Sequence, residues 1–182
     1  SHDAFVQKLD ASGNFVWARQ ITVNAFNYVF DIAVDENGNV LSTGDFLGTA
    51  DFDPGPAVYN LSTNGDPDIF VLKLSSTGEF VWVAASTGPF YGSGYALRVD
   101  RLKNIFIGGT FEGTIDFDPG PDEYELSSAG QSEIFIYKLR QCPNAALTQT
   151  LNVNTCTSYK LNNKTYDSTG TYTHLVLNTM GC

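Results

Sequence analysis

The stretch Asp68-Ile-Phe-Val-Leu-Lys-Leu74 occurs three times in this chain in closely related forms. The first form is Asp-Ala-Phe-Val-Gln-Lys-Leu at residues 3–9, and the last is Glu-Ile-Phe-Ile-Tyr-Lys-Leu at residues 133–139. Successive copies therefore stand 65 residues apart. Repetition at a fixed period predicts a fold that is built from successive copies of one supersecondary unit.

Two further matches show that the repeat extends well beyond this stretch. Gly-x-Phe-Val-Trp recurs at the same spacing, at residues 13–17 and 78–82. Residues 44–56 match residues 109–121 at ten of thirteen positions without a gap. The motifs of each copy therefore keep the same spacing. Chance similarity does not explain this agreement.

Each copy is predicted to contain four strands. In the middle copy they lie near Phe30–Val34, Val40–Phe46, Ile69–Leu74 and Glu79–Ala84. The turns between paired strands carry Gly or Asn, which suit the positive φ angles of hairpins. Nearly continuous apolar residues indicate strands that are covered on both faces, as in the stacked blades of a β-propeller. In the third copy Arg101-Leu102-Lys103 replaces Glu36-Asn37-Gly38, which predicts a less tight turn.

The length of the copy indicates a blade with an insertion. An ordinary propeller blade has about 40–50 residues, and residues 48–65 here form an extra segment that predicts a β-arm. Residues 1–140 then hold about two and a quarter blades: two strands of one blade, a complete blade, and three strands of the next. Propellers close with about four to eight blades, so we expect flanking blades or a partner chain to cover the ends.

Composition agrees with an all-β class and excludes two kinds of partner. The chain has ten basic and twenty acidic residues, a net charge of −10. Such a surface repels nucleic acid and anionic membranes, and no apolar run is long enough to span a bilayer. We favour solubility in an extracellular medium as the reason for the acidity, with a cation-binding surface as the alternative.

The motifs resemble a known repeat family. Asp-Ile-Phe-Val-x-Lys-Leu, Gly-x-Phe-Val-Trp, Val-Asp-x-x-Gly-Asn-Val and Gly-Thr-x-Asp-Phe-Asp-Pro-Gly together look like the SBBP-type β-propeller repeat of large Bacteroidetes surface and secreted proteins. The resemblance covers residues 3–140. It implies export, commonly by the type IX secretion route, and a role in adhesion or one that is unknown. It supplies no catalytic residues.

Residues 141–182 differ in composition, with many Thr and Asn residues and no Phe. The string from Cys156 to His174, followed by Gly181-Cys182, is similar to a short Thr/Tyr-rich β module of the same class of surface proteins. We expect Cys156 and Cys182 to close a disulfide loop in an oxidising exterior; this would leave Cys142 unpaired. A partner outside this stretch is the alternative, since sequence does not fix connectivity. Ser168, in Asp-Ser-Thr, fits a short bacterial O-glycosylation pattern.

The repeated Asp-Phe-Asp-Pro-Gly-Pro sequences suggest a cation site. They place Asp51 beside Asp53, and Asp116 beside Asp118, on one side of an extended segment. Carboxylate oxygens suit Ca²⁺. We favour a structural turn instead, in which Asp accepts backbone N–H bonds ahead of Pro-Gly and Phe fills a pocket. Calcium loops usually gather three or more ligands, and identical loops on successive blades indicate structure. No other cofactor is indicated.

Exposed aromatic residues are the second candidate surface. Phe90, Tyr91 and Tyr95 lie at a predicted connection between blades, where they can form a patch. Trp17 and Trp82 recur at equivalent strand positions, which favours core packing over sugar stacking. Several acids exist, but nothing selects two that would face each other across a cleft as glycoside hydrolysis requires.

These observations indicate a non-enzymatic structural or adhesive module of a large secreted or cell-surface bacterial protein. Its expected partners are further blades, other protein subunits and surface glycans. A carbohydrate-binding or carbohydrate-processing propeller whose site lies outside this segment is the second hypothesis. A subunit that assembles into fibres through uncovered blade edges is the third.

Overall fold

The structure is a computed structural model that describes residues 2–119 and 122–140, together with the backbone of short strands beyond them. Its described elements are all strands, so the fold is all-β. In residues 1–140 the strands are β1 (Ala4–Leu9), β2 (Phe15–Val23), β3 (Phe26–Val34), β4 (Val40–Leu47), β5 (Thr49–Asp51), β6 (Asn60–Ser62), β7 (Asp68–Leu74), β8 (Phe80–Ser86), β9 (Gly92–Val99), β10 (Asn104–Phe111), β11 (Thr114–Asp116), β12 (Glu125–Ser127) and β13 (Glu133–Arg140).

The middle copy forms a four-stranded antiparallel blade in the order β3-β4-β7-β8. Its central strand β7 is buried at every residue. That burial explains the uninterrupted apolar sequence, because both faces of the strand are covered by neighbouring sheets. The predicted four-stranded blade is confirmed.

Incomplete blades flank this sheet on both sides. β1 and β2 form the outer hairpin of the preceding blade, and β9, β10 and β13 form a three-stranded sheet in the order β13-β10-β9. All of these pairings are antiparallel. The strands belong to three successive blades, as the 65-residue spacing indicates.

Two motif residues act together to close the first hairpin of the middle blade. Asp35 Oδ1 accepts the backbone N–H groups of Asn37 at 2.9 Å and Asn39 at 3.0 Å. The ammonium of Lys73 on β7 lies 2.9 Å from Asp35 Oδ2, and both side chains are buried. Burial acts to raise the pKa of Asp35, but the bonds from Lys73 and Asn39 outweigh it and hold the pKa below its ordinary value.

The corresponding turn of the third copy is as tight as that of the middle copy, so the prediction of a looser turn is wrong. Lys103 adopts a φ of 64°, close to the 77° of Gly38. Its N–H donates to the carbonyl of Asp100 at 3.0 Å, and the Gly38 bond measures 2.9 Å. Two bonds of 2.8 Å from turn N–H groups to Asp100 Oδ1 hold the conformation, and the Lys103 ammonium pairs with Glu36 at 2.9 Å.

The insertion forms a β-arm that reaches back to the preceding blade. β5 pairs with β6 to make the arm, and β5 also pairs with β2 through Thr22 opposite Asp51 and Val23 opposite Ala50. The third copy repeats this arrangement, since β11 pairs with β12 and Asp116 forms a bridge with Thr87. The arm was predicted as an extra β element, but its pairing with the neighbouring blade was not.

The outer strand of the first blade rests on a turn of the second. Trp17 is buried, and its Nε1–H donates to the carbonyl of Ser76 at 3.1 Å. Arg19 Nε donates to the carbonyl of Gly78 at 2.8 Å. Gly78 has a φ of 82°, and a Cβ there would lie 2.9 Å from Cδ2 of Trp17. A glycine is therefore required both by the backbone and by the close approach of the indole.

Residues Cys142–Cys182 form a second compact unit, separate from Ser1–Gln141. In it β14 (Leu147–Val153) pairs with β17 (Gly170–Val176), and β15 (Tyr159–Leu161) pairs with β16 (Lys164–Tyr166). Both pairs are antiparallel.

Candidate functional site

The carboxylate of Asp51 is engaged by the backbone of its own arm. Asp51 Oδ1 accepts the N–H of Asp53 at 3.1 Å and that of Tyr59 at 2.9 Å. Asp53 Oδ1 accepts the N–H of Gly55 at 2.7 Å. These bonds close the loop ahead of Pro-Gly, so the two carboxylates have a structural use without a bound ion.

The third copy has the same geometry. Asp116 Oδ1 accepts the N–H groups of Asp118 and Tyr124, both at 2.9 Å. Within residues 2–119 and 122–140, no group of three or more His, Cys, Asp or Glu side chains is placed to hold a metal ion. The Ca²⁺ site proposed for these loops remains a prediction that rests on two carboxylates per loop.

The phenylalanine between the two aspartates anchors the arm in the core. Phe52 is fully buried, with its ring centroid 5.2 Å from Phe46 and 5.0 Å from Phe70. An equivalent trio of rings is formed by Phe111, Phe117 and Phe135, with centroid distances of 5.3 Å and 5.0 Å. In the middle and third copies the arm is therefore held at its base by an equivalent aromatic cluster.

The predicted aromatic patch is only partly where the sequence placed it. Phe90 lies on the connection before β9 and is exposed. Tyr95 is also exposed, but it lies within β9 because that strand begins at Gly92. Tyr91 is half-buried, and its hydroxyl is 3.1 Å from that of Tyr95.

The exposed aromatic surface extends onto the middle blade, which the sequence reasoning missed. Tyr95 packs against Phe30 with a centroid distance of 5.2 Å, and Phe30 stacks on Tyr28 at 6.1 Å. Phe26 lies 5.4 Å from Tyr28. We call Phe26, Tyr28, Phe30 and Tyr95 the aromatic row. It joins the innermost strands of two blades, and the signal for it was the alternation of aromatic residues along Phe26–Phe30.

A buried polar cluster beside the row was also missed. Asp45 is buried, and its Oδ1 has no hydrogen-bond donor; Ser93 Oγ is buried and unpartnered too. Burial raises the pKa of Asp45, while the nearby hydroxyls of Ser93 and Tyr91 oppose that rise. Burial likewise raises the pKa of Tyr91 to about 12. The signal was a break in the repeat, because Thr110 stands where a second copy of Asp45 would be.

Asp45 and Asp31, two acids of the middle blade, have different surroundings. Asp31, another acid of the middle blade, is committed to structure, since its Oδ2 accepts the N–H of Leu97 at 2.8 Å and the guanidinium of Arg98 at 2.6 Å. A single buried carboxyl group between two blades stabilises or destabilises their contact according to its ionisation.

The remaining predicted sites lie outside the described residues. They are Cys156 and Cys182 of the expected disulfide and Ser168 of the glycosylation pattern. The described part of the chain contains no helix that is long and apolar enough to cross a membrane.

Comparison with known proteins agrees with the repeat architecture. No family model matches the chain. The chain is similar to a WD-repeat protein. That relative, the uncharacterized WD repeat-containing protein L264 of Acanthamoeba polyphaga mimivirus, is 27% identical over 150 residues, which cover 74% of this chain. The match covers only 10% of the length of the relative. WD repeats form propeller blades, so the similarity fits a module built from β-propeller-type repeats and is consistent with a non-enzymatic role.

Proposed function

We propose that this chain is a structural and adhesive module of a large secreted or cell-surface bacterial protein, a propeller segment of the SBBP type. Its blades form a rigid platform, and its loops and aromatic row present a surface to a partner. Further blades, from the same protein or from another subunit, cover its two end sheets.

The difference in burial between equivalent residues supports the part of this proposal that concerns further blades at both ends. Ile69 and Val71 in the middle blade are fully buried (0%), whereas their counterparts Ile134 and Ile136 in the third blade are 81% and 79% exposed. At the other end Phe70 is 0% exposed and its counterpart Phe5 is 68% exposed. The same apolar positions are thus covered where a neighbouring blade is present and open where none is, which favours a further blade at each end.

The contact between the second and third blades shows what such a neighbour must provide. A Cβ on Gly92 of β9 would lie 3.0 Å from Ile69 Cγ1, and one on Gly94 would lie 3.2 Å from Ile69 Cγ2. The glycines allow the backbone of the third blade to approach the isoleucine closely. A blade that covers Ile134 is therefore expected to carry small residues at the positions of Gly92 and Gly94.

A lengthened chain tests this packing. A copy of residues 76–140 inserted directly after Arg140 continues the repeat in phase and supplies the missing neighbour. Ile134→Asp should change the free energy of unfolding by no more than about 0.5 kcal/mol in the natural chain. In the lengthened chain it should cost about 3 kcal/mol or more, because it buries an uncompensated charge.

The reference variant for this test is Ile69→Asp, which should be equally costly in both chains. Urea denaturation measures all the values. An Ile134→Asp cost that is equally small in the two chains would contradict the proposed covering blade.

Exposure on the cell surface is tested separately. Intact cells of the organism of origin are treated with protease, and the protein is followed with an antibody against residues 1–140. Loss of the signal without cell lysis is expected. Full protection until the cells are broken would contradict the proposed location.

Glycan binding is the second candidate, and the aromatic row favours it. Tyr28 is 43%, Tyr95 is 45% and Phe30 is 46% exposed, and aromatic faces stack on the apolar faces of sugars. The net charge of −10 favours neutral over anionic glycans. A glycan array should show binding that Phe30→Ala and Tyr95→Ala abolish, whereas Val58→Ala, on the exposed arm, should have no effect. An array without any binding would exclude this candidate.

A further inference from the structure

Two buried side chains at the contact between the second and third blades have oxygen atoms without a bonding partner. Asp45 on β4 is 3% exposed, and Ser93 on β9 is fully buried. Neither Asp45 Oδ1 nor Ser93 Oγ has a hydrogen-bond partner. An unpaired polar atom in the interior costs stability, and a charged one costs more. Two such atoms at one place therefore indicate a site for a small polar or charged ligand.

Hydroxyl groups of the third copy lie around these atoms. Burial raises the pKa of the Asp45 carboxyl group, and the nearby hydroxyls of Ser93 and Tyr91 oppose that rise. The Tyr91 hydroxyl lies 3.1 Å from that of Tyr95. The hydroxyls of Tyr91, Thr110 and Ser93 all act to lower the pKa of Tyr95. One carboxyl group and four hydroxyl groups are therefore gathered at one place.

The charge of this oxygen cluster favours a monovalent cation. The carboxylates of Asp35, Asp31 and Glu36 are paired with Lys or Arg side chains, and none of these three ion pairs includes Asp45. Buried charges are usually paired or bound to a metal ion, and hard cations prefer oxygen ligands. Ca²⁺ sites usually draw on several carboxylates, whereas this cluster supplies one. A single positive charge balances it.

The cluster belongs to one blade junction and is not part of the repeat. The equivalent of Asp45 in the third copy is Thr110, and the equivalent of Ser93 in the middle copy is Tyr28. A residue that the blade fold itself requires is expected to recur from copy to copy. The differences at these two positions therefore favour a role that is specific to this junction.

We propose that Asp45, Ser93, Tyr91 and Tyr95 bind a monovalent metal cation, Na⁺ or K⁺, between the second and third blades. The carboxylate balances the charge, and the hydroxyl oxygens complete the ligand set. Tyr95 is 45% exposed, which gives the ion a route from the solvent. Because its ligands come from both blades, the ion stabilises their contact. The proposal goes beyond the proposed function and depends on neither secretion, adhesion nor further blades.

The melting temperature of the natural chain in different chloride salts tests the site. It is measured in NaCl, KCl and tetramethylammonium chloride at equal concentration and at mildly alkaline pH, which keeps the Asp45 carboxyl group ionised. Equal concentrations keep electrostatic screening constant, and the tetramethylammonium ion is too large for a buried site. NaCl or KCl at about ten times the Kd should raise the Tm by about 3–5 °C relative to tetramethylammonium chloride.

Three variants locate the binding place. Asp45→Asn keeps the shape of the side chain but removes its charge, so it should abolish the Tm difference between the salts. Ser93→Ala should reduce the difference without lowering the Tm in tetramethylammonium chloride, because its hydroxyl has no hydrogen-bond partner to lose. Asp31→Asn is the matched control from the same blade. Its carboxylate already accepts bonds from Leu97 and Arg98, so the difference should persist.

Three results would overturn the proposal. The first is an equal Tm of the natural chain in all three salts. The second is an undiminished difference in Asp45→Asn or Ser93→Ala, which would place the bound ion elsewhere. The third is a rise in Tm that CaCl₂ produces at the same ionic strength and that neither NaCl nor KCl produces, because the ion would then be divalent.

Discussion

Replacing Phe52 with alanine tests whether the β-arm is anchored in the hydrophobic core. The ring is fully buried and packs against Phe46 on β4 and Phe70 on β7. Truncating a core phenylalanine costs about 3–5 kcal/mol, and more when the surroundings do not collapse into the cavity. The two neighbouring rings lie on two strands that pair with each other. This pairing holds their backbones in place, so the rings cannot move far into the cavity. We therefore expect a loss of about 4 kcal/mol from a total stability of about 5–15 kcal/mol.

Urea denaturation followed by tryptophan fluorescence measures this loss. Val58→Ala is the matched control, since Val58 lies on the same arm but is 68% exposed; it should change stability by less than about 0.5 kcal/mol. Phe117→Ala should resemble Phe52→Ala, because its ring has the same neighbours in the third copy. A Phe52→Ala loss of less than about 1 kcal/mol would refute the role of the arm as an anchored connection.

Three further predictions concern the blades themselves. Burial raises the pKa of Asp68 from 3.8 to about 7, so the folded chain keeps a proton that the unfolded chain releases. The free energy of unfolding should therefore fall as the pH rises from 3.8 to about 7. In urea denaturation at several pH values, Asp68→Asn should make this fall smaller; a fall as steep as in the unmutated chain would contradict the prediction. Gly78→Ala should lower the Tm more than Gly13→Ala, because both sites have a positive φ but only Gly78 faces Trp17, at 2.9 Å; equal shifts would show that the indole contact is unimportant. Lys73→Met should cost about 3–5 kcal/mol in urea denaturation, since it leaves a buried carboxylate without its partner, and a neutral result would argue against the ion pair.

The strands and turns could be predicted because each copy confirms the others. Gly38 and Gly78 mark turns in which the backbone has a positive φ, and the apolar run of β7 indicates a strand covered on both faces. The turn at Lys103 could not be predicted from residue type. Its positive φ depends on bonds to the Asp100 carboxylate, and those bonds outweigh the preference for glycine.

The sequence pattern could not predict the contacts between blades. Asp51 was recognised as a turn residue, yet the pairing of its strand with β2 depends on how two blades stack. Asp45 was one of several acids that the sequence did not distinguish, because its environment is made by Ser93 and Tyr91 of the following blade. A repeat shows which residues are equivalent, whereas the partners of each residue follow only from three-dimensional placement.

The backward reach of the β-arm means that the sequence repeat and the unit of cooperative unfolding are out of phase. An arm encoded by one copy completes the outer sheet of the copy before it, so removing one 65-residue copy disturbs two blades. In a linear array, stability is a sum of intrinsic terms for each repeat and coupling terms between neighbours. The arm therefore increases the coupling term between neighbouring blades and decreases the intrinsic stability of each blade. Blades joined in this way are expected to unfold together, where blades joined by a simple loop would open one at a time.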